Sequence, residues 1–244
     1  MSHSAVKMEL VFGRGHGGTA ALPASAVGKD TGTIFTLSCG RIGVSTLETT
    51  LNPSLKTLLD ELAAFGDAHD GDAANRATRM LNITPDTGAF LAVLVKATQA
   101  RRILEIGTSN GYSTLWLADA AADIGGAVTT VEMAPAKIEL ARANFARAGL
   151  AERITQREGD AGALLAGLDD ESVDLAFLDS QRSAYMSWWP HLKRVLRAGG
   201  LLVVDNATSH AHEMADFTAQ VEADAAFTTS LVPVGKGEFL AVKA

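Results

Sequence analysis

Residues 105–111 read EIGTSNG and join a short apolar run, 102–106, to a stretch with helical spacing. In this E-x-G-x-x-x-G pattern, Gly107 allows a tight turn and close approach of a ligand to the backbone, and Gly111 opens the helix. Ligands of open α/β sheets lie beyond the carboxyl ends of the strands, where such turns occur. The fingerprint G-x-G-x-x-G is absent, because position 109 is serine, and the sequence holds no G-x-x-x-x-G-K-[ST] loop. Packing or chance also produces a G-x-x-x-G turn, so the surrounding pattern decides its meaning.

Strands and helices alternate around this turn. The segments that predict strands are 102–106, 128–132, 154–158, 175–178 and 201–204. The segments that predict the helices between and after them are 111–122, 135–148, 161–168, 184–196 (ended by the glycines at 199 and 200) and 211–223. Near-continuous apolar strands in βα alternation indicate a parallel sheet covered on both faces.

The sequence before and after this region does not follow the alternation of strands and helices. Two further strands, 227–234 and 238–242, are separated only by Gly235-Lys236-Gly237, which is too short for a parallel crossover and predicts an antiparallel hairpin. Helical segments near 53–62, 76–81 and 85–97 come before the first strand, the last with Thr84 as N-cap. This arrangement resembles the Rossmann-like fold of methyltransferases, and we therefore predict an α/β fold of that kind. Its seven-stranded, mostly parallel sheet ends in an antiparallel hairpin and carries N-terminal cap helices.

Composition divides the chain into two regions. Eight of the 23 glycines lie in residues 1–43, a density that raises the entropic cost of ordering and predicts a flexible extension over 1–45. A ligand or nucleic-acid arm built on GRGHGG is the alternative. Residues 46–244 form the predicted methyltransferase domain, with cap helices over 46–100 and the cofactor-binding sheet over 101–244.

Overall composition narrows the protein class. The 244 residues include one cysteine and carry a net charge of -7, so an intramolecular disulfide is excluded and a large nucleic-acid surface is disfavoured. The sequence holds no uninterrupted apolar run of roughly 18 residues, the length that a membrane span needs. Residues 1–10, MSHSAVKMEL, lack the secretory pattern. We expect a cytoplasmic protein.

Acidic residues follow the second and third strands. Glu132 is placed to accept hydrogen bonds from both hydroxyls of a ribose, or alternatively to sit at the start of the helix that Pro135 opens. Asp160 is placed to accept from an adenine amino group, and it can also cap the next helix. These assignments are compatible with the G-x-x-x-G turn as part of a nucleoside site.

Oxygen-bearing side chains also follow the fourth and fifth strands. Asp179 comes after one strand, and Asp205 and Asn206 come after the next. Two carboxylates and an amide make a hard-oxygen site that suits a magnesium-like ion. A single aspartate at a strand end is more often a helix cap, so the prediction depends on all three residues together.

The ordered combination of segments resembles the bacterial O-methyltransferase family related to catechol and caffeoyl-coenzyme-A O-methyltransferases. The segments that carry the resemblance are LNITPDTGAFLAVLV, RRILEIGTSNGYSTLWLA, VTTVEM, REGDA, LAFLDSQRSAY, AGGLLVVDN and VPVGKGEFLAVK. The resemblance implies S-adenosylmethionine as methyl donor, a divalent cation (usually magnesium), a small phenolic or vicinal-diol acceptor, and often a homodimer.

The resemblance also assigns residues. Donor-binding candidates are Glu105, Gly107, Ser109, Asn110, Gly111, Ser113, Glu132, Met133, Asp160, Ala161 and Asp179. Metal-binding candidates are Asp179, Asp205 and Asn206, and the catalytic candidates are Asp179 and Arg182.

Arg182 departs from the family pattern. Relatives typically carry lysine three residues after the first metal-binding aspartate, as a candidate general base, whereas arginine stays protonated and cannot take a proton. Either the metal alone acidifies the hydroxyl, or His210 or His212 accepts the proton. Arg182 could then stabilise a phenolate or bind an acidic acceptor. Trp188 and Trp189 are expected to serve packing.

Three other functions stay open at this stage. The same fold can carry an RNA nucleoside methyltransferase, which the negative charge disfavours and a clustered basic face would favour. A non-catalytic S-adenosylmethionine-binding protein is the second, and the complete Asp179, Asp205 and Asn206 set argues against it. A nicotinamide oxidoreductase is the third, disfavoured by the missing glycine fingerprint.

Overall fold

The computed structural model describes residues 51–72 and 78–244. The predicted extension over 1–45 lies outside the described residues. The helices are α1 Pro53–Asp72, α2 Pro85–Thr98, α3 Tyr112–Asp123, α4 Pro135–Arg147, α5 Ala161–Gly167, α6 Tyr185–Val195 and α7 Ala211–Glu222. The strands are β1 Arg102–Ile106, β2 Ala127–Glu132, β3 Ile154–Glu158, β4 Val173–Leu178, β5 Leu196–Val204, β6 Phe227–Val232 and β7 Glu238–Lys243.

The strands form one seven-stranded sheet in the order β3-β2-β1-β4-β5-β7-β6. Strands β1 to β5 pair in parallel, and β7 runs antiparallel to both β5 and β6. This confirms the predicted mixed sheet with its terminal hairpin. The strand order reverses between β1 and β4, which is where ligands bind in open α/β sheets.

Helices cover both faces of the sheet, as the buried side chains of β4 show. Leu175 and Phe177 belong to an apolar cluster with residues of α1 to α4, whereas Ala176 and Leu178 belong to a cluster with residues of α5 to α7. Because successive residues of a strand point to opposite faces, the two clusters lie on opposite sides of the sheet. Within the described ranges, no helix is long and apolar enough to cross a membrane.

The predicted helix over 76–81 is wrong for the part of it that the structure describes. Residues 79–84 have no regular secondary structure, and Leu81 has a φ of +53°. The backbone N–H groups of Met80 and Leu81 donate to the carboxylate of Asp70 at 2.6 and 2.7 Å. These donors therefore bond to a side chain of α1 and do not support a helical turn.

The boundary between α6 and β5 also differs from the prediction. The helix ends at Val195, within one residue of the prediction, but the strand begins at Leu196, five residues before the predicted start at Leu201. The pairing of β4 with β5 shifts register after Val173, and Arg197 donates to Asp174 at 2.9 Å. Burial alone would raise the pKa of Asp174, but hydrogen bonds from Arg102 and Arg197 lower it to about 2. The glycines thus belong to an irregular strand entry held by ion pairs. Helix α1 also continues past the predicted segment near 53–62 and ends at Asp72, and the other predicted boundaries agree within two residues.

The turn after β1 is fixed by its neighbour in the sheet. Gly107 has a φ of +110°, and its N–H donates to the carbonyl of Val131 at 3.1 Å. A methyl group on Gly107 would overlap the backbone carbonyl oxygen of Asp179, which follows β4. Glycine is therefore required here for both its dihedral angle and its lack of a side chain.

We expect Gly107→Ala to lower the free energy of unfolding by at least about 3 kcal/mol, because the new methyl group meets backbone atoms that cannot move aside. Gly125→Ala is the matched control: its φ is +72° and nothing lies within 4 Å of the added carbon. Its cost should be about 1 kcal/mol, from the dihedral angle alone. Urea denaturation followed by circular dichroism measures both, and equal losses would contradict the overlap.

Candidate functional site

Two neighbouring cavities open at the carboxyl edge of the sheet. The larger has a volume of about 750 Å³ and the smaller about 400 Å³. Gly107, Glu132, Ser180 and Gln181 line both cavities. The cavities are therefore adjacent halves of one cleft, centred where the strand order reverses.

The turn between β1 and α3 forms one wall of the larger cavity. Ser109, Asn110 and Ser113 of the predicted donor set all line it. Asn110 is buried, and its Oδ1 accepts from the Tyr112 N–H at 3.2 Å, whereas its Nδ2 has no hydrogen-bond partner. A buried amide donor without an acceptor is costly, so this wall suits a ligand with an acceptor group such as a carboxylate.

Glu132 stands between the two cavities. Its Oε1 accepts from the N–H groups of Met133 and Ala134, and its Oε2 accepts from that of Ser109, each at 3.0 Å. A carboxylate has about four acceptor positions, which leaves one at Oε2 for a ribose hydroxyl. The Glu132 side chain thus bonds to the backbone at the start of α4, which is the second role that the sequence suggested for it. It also retains one acceptor position for a ligand.

The smaller cavity contains Asp160, the residue predicted to accept a hydrogen bond from adenine. Met133, Asp160 and Ala161 line it, together with Trp188 and His191. Asp160 also caps α5, because its Oδ1 accepts from the Ala163 N–H at 2.8 Å. Both roles foreseen for Asp160 are compatible in this position. Trp188 packs in the core as expected, and it also forms part of the cavity wall.

Two donor-set candidates, Glu105 and Gly111, line neither cavity. Glu105 is fully buried beneath the turn, where it accepts hydrogen bonds from the hydroxyls of Ser113 at 2.5 Å, Thr130 at 2.7 Å and Thr114. Burial raises its pKa to about 7, even though the three hydroxyl groups favour the charged form. Glu105 therefore supports the turn from below.

The three metal-ligand candidates meet at the edge between β4 and β5. The Asn206 Nδ2 donates to Asp179 Oδ1 at 3.2 Å and to Asp205 Oδ2 at 2.7 Å. Burial, and after it the charge of Asp205, raises the pKa of Asp179. Within the described residues no three His, Cys, Asp or Glu side chains gather as a metal site, so the candidate set is two carboxylates and an amide.

A cation fits this set on two grounds. Asp205 Oδ1 is buried and has no hydrogen-bond donor, so an oxygen is left for another positive group. Asn206 carries a donor and an acceptor on one amide, so it can satisfy carboxylates through Nδ2 or a cation through Oδ1. Hard oxygen donors of this kind suit magnesium or manganese.

Arg182 lines the larger cavity and is held by an ion pair. Its Nε donates to Glu213 Oε2 at 2.8 Å, and its side chain is only 10% exposed. His210 and Glu213 line the same cavity, and His212 does not. Of the two histidines considered as proton acceptors, the structure therefore places only His210 at the cleft.

Sequence reasoning missed Lys236 as a site residue. It lies in the β6–β7 hairpin turn and lines the larger cavity. Its backbone carbonyl accepts from Thr208 and Ser209 at 3.2 and 3.0 Å, which fixes the turn beside the end of β5. The signal was the hairpin itself, because a strand antiparallel to β5 begins at the edge where β5 ends.

Comparisons with known proteins agree with this arrangement. The sequence model of the O-methyltransferase family matches residues 56–244. The chain belongs to the O-methyltransferase family. A catechol O-methyltransferase of Mycobacterium tuberculosis strain H37Rv is 42% identical over 127 residues, which cover 51% of this chain and 56% of that protein. The alignment thus spans about half the length of this curated relative.

Solved structures of other O-methyltransferases resemble this chain over most of its length. An O-methyltransferase of Bacillus cereus in complex with SAH is 26% identical with a TM-score of 0.66, covering 82% of this chain and 95% of that one. The O-methyltransferase TomG of Streptomyces achromogenes, in complex with SAM, is 26% identical with a TM-score of 0.65, covering 82% and 93%. The predicted family resemblance and enzyme class are confirmed.

The raised pKa of Glu105 predicts a pH dependence for the stability of this methyltransferase. Its pKa of about 7 in the folded protein lies above the ordinary value of 4.5, so its contribution to the free energy of unfolding is complete below about pH 4.5 and is lost as the pH rises through 7. Glu105→Gln resembles the protonated acid at every pH. Between pH 5 and 8, the wild-type free energy of unfolding should therefore fall more steeply than that of the variant, as chemical denaturation can measure. Parallel pH profiles would show that Glu105 titrates normally.

Proposed function

We propose that the chain transfers a methyl group from S-adenosylmethionine to a hydroxyl of a small catechol-like acceptor, with the help of a divalent cation. One observation carries the proposal: the Asp179, Asp205 and Asn206 cluster lies at the same cleft as the Gly107 turn and Glu132. A donor site and an oxygen-ligand site thus adjoin each other. Reacting groups held together in this way gain much of their rate from proximity alone.

The cleft suits the donor in three places. Asn110 Nδ2 offers a buried donor to an amino-acid carboxylate, Glu132 has an acceptor position for a ribose hydroxyl, and Asp160 and Met133 line the smaller cavity, where adenine would lie. When bound, S-adenosylmethionine supplies an electrophilic methyl group on a sulfonium. The residues of the chain orient that group and exclude water from it.

At the acceptor end, Asp179, Asp205 and Asn206 would hold the cation. The ion would supply Lewis acidity to an acceptor hydroxyl, which then loses its proton more readily. Arg182 cannot take that proton, because guanidinium stays charged. Its Nε is engaged by Glu213, and its terminal nitrogens can donate to an acceptor oxygen that gains negative charge.

The charges lining the larger cavity do not favour the RNA alternative. Four basic residues line it, but so do three acidic ones. The basic residues are Arg79, Lys137, Arg182 and Lys236, and the acidic ones are Glu132, Asp179 and Glu213. Mixed charge of this kind is a poor phosphate surface. Magnesium as the ion, the homodimer and the cytoplasmic location stay predictions from the sequence.

Donor binding is the first test. We expect S-adenosylmethionine to bind in the micromolar range, NAD to bind far more weakly, and Glu132→Gln to weaken the S-adenosylmethionine affinity about tenfold, since a hydrogen bond to a charged group is lost. Isothermal titration calorimetry measures all three. Glu158→Gln is the control, because Glu158 is an exposed carboxylate paired in register with Glu132. Tighter binding of NAD than of S-adenosylmethionine would overturn the donor assignment.

Metal dependence is the second test. We expect chelation to abolish methyl transfer to catechol while donor binding persists, and Asp205→Ala to lose most turnover, because the ion has so few protein ligands. Mass spectrometry of the methylated product, with and without chelator and with Mg²⁺ added back, measures the effect. Asp216→Ala controls for the loss of a carboxylate, because Asp216 is exposed on α7 and lines neither cavity. Full activity without metal would leave a donor-binding fold whose chemistry is unassigned.

A further inference from the structure

The turn of the β6–β7 hairpin packs closely against the loop that follows β5. The N–H groups of Thr208 and Ser209 donate to the carbonyl of Lys236 at 3.2 and 3.0 Å. Gly237 has a φ of +92°, and a methyl group on it would overlap the hydroxyl of Thr208. The backbone of Lys236 is therefore held beside the end of β5, where two of the candidate cation ligands lie.

The side chain of Lys236 brings a positive charge to the larger cavity. Lys236 lines this cavity together with Asp179 and Asn206. Among the residues that the structure describes, its ammonium group forms no hydrogen bond and no ion pair. Burial and the charge of Asp205 raise the pKa of Asp179, and the positive charge of Lys236 opposes that rise. A charge that acts on Asp179 also acts on an acceptor bound beside it.

The other charged residues assigned to the acceptor end have counter-charges. Arg182 donates to Glu213 at 2.8 Å. Asp179 and Asp205 would be offset by the two charges of a divalent cation. A catechol meets that cation through its oxygens and leaves the charge of Lys236 without a partner. An anionic substituent on the catechol ring would supply the partner.

A single lysine at this end suits one carboxylate better than a phosphate chain. Polyanions are bound by several basic side chains acting together. The other two lysine and arginine side chains of the cavity, Lys137 and Arg79, belong to a different part of the wall, where Lys137 donates to the Arg79 carbonyl at 2.7 Å. They hold the loop over 79–83 and do not extend the charge of Lys236 into a basic surface.

We propose that Lys236 is a specificity-determining residue whose ammonium group binds a carboxylate carried by the catechol acceptor. The inference rests on the proposed function, because it refines the acceptor that the enzyme methylates. Lys236 stays charged and contacts the substituent, while the reacting hydroxyl lies at the candidate cation site. A hydrogen bond between charged groups contributes about tenfold or more to affinity.

The test is calorimetric titration of the full-length protein, saturated with S-adenosylhomocysteine and Mg²⁺ so that no turnover occurs. The titrants are protocatechuate, a catechol carboxylate, and its neutral amide, which has nearly the same shape. We expect the wild type to bind protocatechuate at least about tenfold more tightly than the amide. Lys236→Met should remove this difference by weakening binding of the carboxylate alone, and Lys236→Arg should keep it, because arginine also pairs with carboxylates. Lys56→Met, at an exposed lysine of α1, is the charge control.

The kcat/KM values of the two acceptors, measured by mass spectrometry with S-adenosylmethionine, should follow the same pattern, with the change mainly in KM. S-adenosylhomocysteine binding and the melting temperature report whether each variant is folded, and Lys236→Gln takes the place of Lys236→Met if the latter is unfolded.

Equal affinity of the wild type for the two acceptors, or a preference that survives Lys236→Met, overturns the inference and leaves the proposed function standing. An equal loss of affinity for both acceptors in Lys236→Met overturns it too, because Lys236 would then act on the shape of the cleft. If the wild type methylates neither acceptor, the proposed function is wrong together with the inference, and this result differs from the other two.

Discussion

The backbone of Gly107 lies against the carbonyl of Asp179 with no room for a side chain between them. The turn that forms the wall of the donor cavity and the strand end that carries a candidate cation ligand are therefore in direct contact. Neither can shift without the other. Glu105 supports the turn from below through three hydroxyl groups, and Glu132 holds it from the side. The spacing between the donor and acceptor halves of the cleft thus follows from backbone packing and does not depend on flexible side chains.

This edge of the sheet concentrates buried acids. Glu105, Asp205 and Glu238 are buried and Asp179 is half-buried beside them, and burial raises the pKa of Glu105, Asp179 and Glu238. Charge buried in this way works against folding, and it is retained where a site needs it. The opposite end of the sheet shows the contrast. There Asp174 has two arginine partners and a lowered pKa, as expected of an ion pair whose role is structural.

Most of the sheet could be predicted because its signals are local. Strands β1 and β3 agree with the prediction at both ends, since each lies directly before a turn that contains glycine. The predictions that were wrong depend on residues that are distant in the sequence. Residues 79–81 lie in a loop because Asp70 accepts hydrogen bonds from the backbone there. Strand β5 begins earlier than predicted because Asp174 forms an ion pair at its start. The site shows the same division. The strand-end acids were visible in the sequence, whereas the place of Lys236 depends on the hairpin register.

The loop over 79–83 forms part of the cleft wall, and a few hydrogen bonds hold it in place. Asp70 binds the N–H groups of Met80 and Leu81, Ser109 donates to the Met80 carbonyl at 2.7 Å, and Lys137 donates to the Arg79 carbonyl at 2.7 Å. Lifting the loop breaks bonds to α1, to the β1–α3 turn and to α4 together. A displacement of this loop is therefore a collective event, because it disturbs three elements at once.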